Sequence, residues 1–235
     1  MLPTTILLLL PVLQLALAAP VVDLESRQAP CDSVHIFLAR GTDEPYPGRQ
    51  SSLVEAICFG LPSCGYEDIV YPAVYSPYCN SVSTGVSDGT YQVAAYASRC
   101  PGSKLVLSGY SQGAQIVGDI LGGGGGTFFN NCTEPTTSGI GPGTFPGNQI
   151  AAALLFGDVR HVPYQPYNTG TGAGANGIYP RTDAQLFSLN RFSNILRSWC
   201  LATDPVCARG LDGNSHTTYF DLFSEEAGAW VKSKL

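Results

Sequence analysis

The sequence predicts an α/β fold, a parallel sheet covered by helices on both faces. Three observations carry this. Strand-like segments such as 104–109 (KLVLSG) and 150–158 (IAAALLFGD) are continuous apolar runs rather than alternating ones, the pattern of strands buried on both sides. Helix-compatible segments separate them, as parallel crossovers require. At 235 residues, 44 % of them hydrophobic, the chain is long enough for one well-buried domain and short for two.

The chain begins with an apolar run from Ile6 to Leu17, followed by the small residues Ala18 and Ala19. This reads as a secretory signal peptide over 1–19. Its core of about 12 residues falls short of the roughly 20 that a spanning helix needs, which weighs against a membrane anchor. Residues 20–28 read as a pro-segment, and 29–235 as a single domain of a secreted, extracellular protein. Residues 33–41 form the first strand, 53–61 a helix and 66–72 a short β-rich run closed by proline. Residues 83–99 have helical spacing that Gly85 and Gly89 weaken. The strand 104–109 precedes a helix at 114–121. Further strands follow at 150–158 and 192–200, and an amphipathic helix closes the chain at 219–235. The Gly-rich stretches 122–149 and 161–183 read as long surface loops of the same domain.

Charged residues make up only 13 % and the net charge is −6. No basic run exists to bind nucleic acid, and no second apolar stretch of membrane length follows the leader. Eight cysteines lie at 31, 58, 64, 79, 100, 132, 200 and 207. An even count in an oxidising compartment predicts disulfides. A structural metal is the rival reading, but there is no C-x-x-C pair and the three histidines are scattered. Asn131-Cys132-Thr133 is the one glycosylation triplet.

Residues 105–115 (LVLSGYSQGAQ) carry the chemistry. Gly109-Tyr110-Ser111-Gln112-Gly113 fits G-x-S-x-G between a strand and a helix, the context of a nucleophile elbow. The tight turn projects the hydroxyl above the sheet, and side chains at the flanking glycines would collide with their neighbours. Serine needs a base to take its proton and an acid to orient that base, and in this architecture they follow it in the order acid, then histidine. The acids between Ser111 and His216 are Asp119, Glu134, Asp158, Asp183, Asp204 and Asp212. Asp204, just after the last strand, and His216, on a loop before the final helix, fit both chain order and the carboxyl edge of the sheet. Cys200 and Cys207 bracket Asp204, and a bridge there would lock its loop. His161 reads as a loop residue near the cleft, and His35 as a hydrogen-bonded core histidine. For the oxyanion hole, one donor is the Gln112 N–H, and the loop after the first strand offers Thr42.

With these residues together, the chain resembles the cutinase and acetylxylan esterase family, carbohydrate esterase family five. The resemblance spans about Cys31 to Leu235 and rests on CDSVHIFLARGT, GYSQG, C-x-x-x-D-x-x-C at 200–207 and SHTTY. It implies a lidless α/β-hydrolase, a three-layer sandwich with about five parallel strands. It implies a Ser111–His216–Asp204 triad with Thr42 and Gln112 as oxyanion donors, and the bridges Cys31–Cys100 and Cys200–Cys207. The other four cysteines depart from the patterns matched. Cys58 and Cys64 are close enough to pair locally, which leaves Cys79 with Cys132 by elimination, and these pairings stay open. The implied enzyme is a monomer without metal or organic cofactor.

The implied substrate is an ester, of acetylated polysaccharide or of lipid polyester. The segment before His216 holds Asp212, Asn214 and Ser215 with Leu211 its only large apolar residue, a polar rim that favours a short acyl group on a sugar. Deacetylation of xylan is therefore the first expectation. A cutinase acting on longer-chain polyesters is the alternative, and an inactive carbohydrate-binding or wall protein is a third. Tyr71, Tyr75 and Tyr78 are read as packing residues, and His161, Tyr164 and Tyr167 as contacts at the cleft edge.

Overall fold

Strand β1 (Val34–Ala39) is buried along its whole length, so it can lie only in the middle of a sheet with cover on both sides. It pairs in parallel with β2 (Cys64–Asp68) on one side and with β3 (Lys104–Tyr110) on the other. The intervening helices are α1 (Ser51–Cys58) and α2 (Tyr78–Arg99). After β3 come α3 (Gln112–Gly122) and a small antiparallel hairpin of β4 (Gly126–Thr127) and β5 (Thr133–Glu134). Strand β6 (Ile150–Phe156), the two-residue β7 (Asn168–Thr169), α4 (Asp183–Leu189) and β8 (Leu196–Trp199) follow. The chain ends with α5 (Gly213–Thr217) and α6 (Tyr219–Lys232). The sheet order is β2-β1-β3-β6-β8-β7, with every pairing parallel. This computed structural model describes residues 30–235. The expected signal peptide at 1–19 and the expected pro-segment at 20–28 lie outside the described residues. No helix among those described is long and apolar enough to cross a membrane.

Alternation along each strand divides the core in two. Ile36, Leu38, Val106, Leu154 and Phe156 join one cluster with Leu53 and Ile57 of α1 and Phe220 and Val231 of α6. Phe37, Leu105, Leu107, Ala153 and Leu155 join the other, with Val82 and Val93 of α2 and Ile116 and Val117 of α3. The expected three-layer sandwich is present, with a short sixth strand that the irregular stretch 161–183 contributes at the edge.

Several boundaries move for physical reasons. β2 begins at Cys64 because that residue pairs with Val34 and is bridged to Cys58; the more apolar residues 69–72 leave the sheet. α2 starts at Tyr78, immediately after Pro77, rather than at 83. Gly85 and Gly89, which weaken the helix on paper, are its contact surface with α3. A Cβ at Gly89 would come 2.8 Å from Ile120 Cδ1, and one at Gly85 would run into Ile116. α4 arises in a stretch with no expected helix and is started by a capping box of Thr182 and Gln185. All eight cysteines are bridged, as Cys31–Cys100, Cys58–Cys64, Cys79–Cys132 and Cys200–Cys207.

Candidate active site

The chain turns one way from β1 to β2 and the other way from β3 onward, so the sheet has its switch point between β1 and β3. A crevice opens there beyond the strand carboxyl ends. Thr42 follows β1 and Ser111 follows β3, so the two expected elements of the site flank that crevice.

Ser111 is held at φ 57° and ψ −119°, a conformation that costs a non-glycine residue of order 1–3 kcal/mol. Its N–H donates to Phe156 O at 2.9 Å, which anchors the turn to β6. The flanking glycines are sterically required. A Cβ at Gly109 would collide with the Gly113 carbonyl, and one at Gly113 with the Ala39 carbonyl on β1. Ser111 Oγ lies 2.9 Å from His216 Nε2, and His216 Nδ1 lies 2.8 Å from Asp204 Oδ2. The three expected side chains thus form one hydrogen-bonded line.

Asp204 is fully buried, yet its carboxylate is well satisfied. Oδ1 accepts from the Val206 N–H at 2.6 Å, and Oδ2 also accepts from the Tyr219 hydroxyl at 2.7 Å. Burial pushes its pKa up, but the His216 hydrogen bond and charge, with the Tyr219 and Val206 donors, outweigh it and hold the carboxyl below its ordinary value. The Cys200–Cys207 bridge closes the loop around it.

His216 sits in the short helix α5, not on a loop as expected. Asp212 caps that helix by accepting from the Asn214 N–H at 3.0 Å and also accepts from the Ser215 hydroxyl at 2.9 Å. Ser215 in turn contacts Thr203 Oγ1 at 2.6 Å, tying the histidine segment to the loop of the acid. Asp212 and Ser215, read as a polar rim, therefore hold α5 in place, while Leu211 beside them is fully exposed.

The other acids lie elsewhere in the fold. Asp119 accepts from Arg160 at 2.9 Å and from Arg181 at 3.4 Å, and Asp158 pairs with Arg181. Asp183 opens α4. Buried Glu134 lies 3.4 Å from Gln115 Nε2. Burial, then the nearby charge of Asp119, pushes its pKa up to about 7. His35 is a core residue as expected, hydrogen-bonded to Asp32 at 2.9 Å and stacked on Tyr96. His161 is buried away from the cleft, its Nδ1 2.9 Å from Ala175 O; burial lowers its pKa and keeps it neutral. Tyr71, Tyr78 and Tyr167 are buried and Tyr164 is exposed. Only Tyr75 and Tyr78 of these border the space at Ser111, so the expected cleft-edge contacts of His161, Tyr164 and Tyr167 are not made.

A cavity of about 170 Å³ opens at Ser111, lined by Thr42, Tyr75, Tyr78, Gln112, Phe129, Val159 and Val206. A larger groove of about 370 Å³ between α1 and α6, which includes Ser52, Phe59 and Lys232, holds none of these residues. Gln112 is the first residue of α3, so its N–H has no intrahelical acceptor. Its side chain is locked, accepting from Ser81 Oγ at 2.8 Å and donating to Val74 O at 3.1 Å. Thr42 is half-buried at the same cavity. Asn131 is exposed beside the bridged Cys132.

Two residues escape sequence reasoning. Tyr219 supplies a hydroxyl to Asp204 and takes the Leu201 N–H at 3.0 Å; its place three residues after His216 is its only signal. Gly157, at φ +59°, leaves room for the imidazole, since a Cβ there would lie 2.9 Å from His216 Cε1.

Comparison with known proteins bears on this constellation. A family model described as cutinase matches residues 30–235. An acetylxylan esterase of Hypocrea jecorina is 34 % identical over 242 residues, covering 98 % of this chain and 76 % of that protein. Cutinase 11 of Verticillium dahliae is 34 % identical over 215 residues, covering 87 % of this chain and 70 % of that one. The solved catalytic core domain of acetyl xylan esterase from Trichoderma reesei superposes with a TM-score of 0.74 at 31 % identity, covering 88 % of this chain and 100 % of the other. With the elbow, the parallel sheet and a match over the whole described chain in agreement, the protein belongs to the cutinase family.

Proposed function

We propose that the protein is a secreted serine esterase that removes short acyl groups, with acetylated xylan as its main substrate. Carboxylic ester hydrolysis is the chemistry of the family; the residues and the substrate are the reading offered here. The hydrogen-bonded line Ser111–His216–Asp204 opening on a cavity of about 170 Å³ carries it. That space is below the roughly 300 Å³ at which pockets for larger ligands begin, which suits an acetyl group.

Ser111 Oγ attacks the ester carbonyl while His216 Nε2 takes its proton. Asp204, ionised, orients the imidazole through Nδ1 and stabilises its charged form. The oxyanion is met by the N–H groups of Thr42 and Gln112. His216 then protonates the departing sugar oxygen, leaving the acyl group on Ser111. Water, deprotonated by His216, attacks that ester and releases the acid. Serine is restored with no metal or organic cofactor in any step.

A second reading, a cutinase acting on longer chains, is favoured by the apolar lining of Tyr75, Phe129, Val159 and Val206. Rates on acetylated xylan beside a long-chain ester, and on nitrophenyl acetate beside nitrophenyl decanoate, decide between them. A preference for decanoate overturns the xylan assignment. An inactive wall protein on this scaffold would leave Ser111 unlabelled by a fluorophosphonate.

A further inference from the structure

The stretch 122–149 reads on paper as a surface loop, yet part of it borders the space at Ser111. Its hairpin of β4 and β5 presents two phenylalanines in succession with opposite destinations. Phe128 is buried, its N–H donating to Cys132 O at 2.9 Å and its ring edge-on to Tyr179 at 5.3 Å. Phe129 is only partly buried and lines the cavity that contains Ser111. Its ring sits among three others, 5.3 Å from Tyr75, 4.8 Å from Tyr78 and 4.9 Å from Tyr179. The Cys79–Cys132 bridge then ties the hairpin to α2 one residue from Tyr78, which lines the same cavity.

An anchored neighbour, an aromatic cage and a covalent tie make Phe129 a fixed wall rather than a loop side chain free to swing away. The geometry points to Phe129 as the residue that limits acyl chain length at Ser111. This inference rests on the esterase reading. A wall of this kind acts on discrimination between substrates and not on the chemical step, so its signature is a ratio of rates.

The test compares kcat/KM for nitrophenyl acetate, butyrate, octanoate and decanoate in wild type, Phe129→Ala and Phe129→Leu, with fluorophosphonate labelling of Ser111 in each. Opening the wall raises the decanoate-to-acetate ratio by about tenfold or more in Phe129→Ala, the scale on which a pocket distinguishes one or two methylenes. Phe129→Leu gives a smaller rise in the same direction and carries the test alone if the alanine variant fails to fold. A labelled variant whose ratio stays within twofold of wild type overturns the assignment while the esterase reading stands. So does a parallel loss on all four esters, because Phe129 then serves the site as a whole. A wild-type protein that takes no label and turns over none of the esters removes the esterase reading, and this inference with it.

Discussion

Gly157→Ala tests whether the triad geometry depends on a space left by a missing side chain. The added Cβ would lie 2.9 Å from His216 Cε1, 3.0 Å from His216 Nδ1 and 3.0 Å from Tyr219 Cε2. Ordinary contact begins near 3.4 Å, so the imidazole must retreat by about half an ångström. It cannot do so freely, because Nε2 is 2.9 Å from Ser111 and Nδ1 is 2.8 Å from Asp204. Tyr219, the other group pressed, is also a partner of Asp204. A misplacement of 1 Å can cost about 100-fold, so half of that predicts a fall in kcat/KM of roughly tenfold. Position 157 also has φ +59°, which adds about 1–2 kcal/mol of backbone strain and lowers Tm by about 2–4 °C per kcal/mol. Gly60→Ala separates the two effects, since it has φ +83° with nothing within 4 Å of its Cβ. It should lose comparable stability and keep full activity. The assay is nitrophenyl acetate hydrolysis beside thermal melting by circular dichroism. If Gly157→Ala is as active as Gly60→Ala, the space at 157 is not what holds His216 and the reasoning fails.

Ser111→Ala should fold normally and lose about 10⁶-fold in kcat on nitrophenyl acetate; substantial turnover there removes the mechanism. Tyr219→Phe deletes a hydrogen bond to a buried carboxylate and leaves the Leu201 N–H without its acceptor, so stability should drop by about 1.5–3 kcal/mol. Because the Asp204 carboxyl is held below its ordinary value, the share of that difference owed to it is present at neutral pH and closes as acid protonates the group, while the share owed to the Leu201 N–H persists, which melting curves across pH will show. Glu134 has a pKa raised to about 7. Its favourable contribution is complete below the unfolded value of about 4.3 and disappears as pH rises through 7. Wild type should therefore lose Tm relative to Glu134→Gln between about pH 4 and 7 and run parallel to it above that; curves parallel from about pH 4 to 7 would refute this.

The candidate site was legible because its signals are local. Ser111 announces itself by Gly109 and Gly113, each excluded from carrying a Cβ by a backbone carbonyl. Asp204 is marked by its two bracketing cysteines, and His216 by its place before the last helix. Tyr219 and Gly157 were not legible, because each matters only through an atom that another segment brings within about 3 Å. The same holds for Phe129, whose stretch has turn composition and no period, so nothing in it signals a contact with the cleft.

By itself the sequence determined the layered α/β sandwich and pointed to the elbow and to the order of the candidate acid and base, since apolar period, turn sterics and chain order are properties of neighbouring residues. Only the tertiary structure decided that Asp212 and Ser215 brace α5 rather than rim the cleft, that Glu134 is buried beside Asp119, and that a glycine-rich loop walls the space at Ser111. Those facts depend on which distant segments meet, and the energy of a buried charge or a close approach exists only once they have.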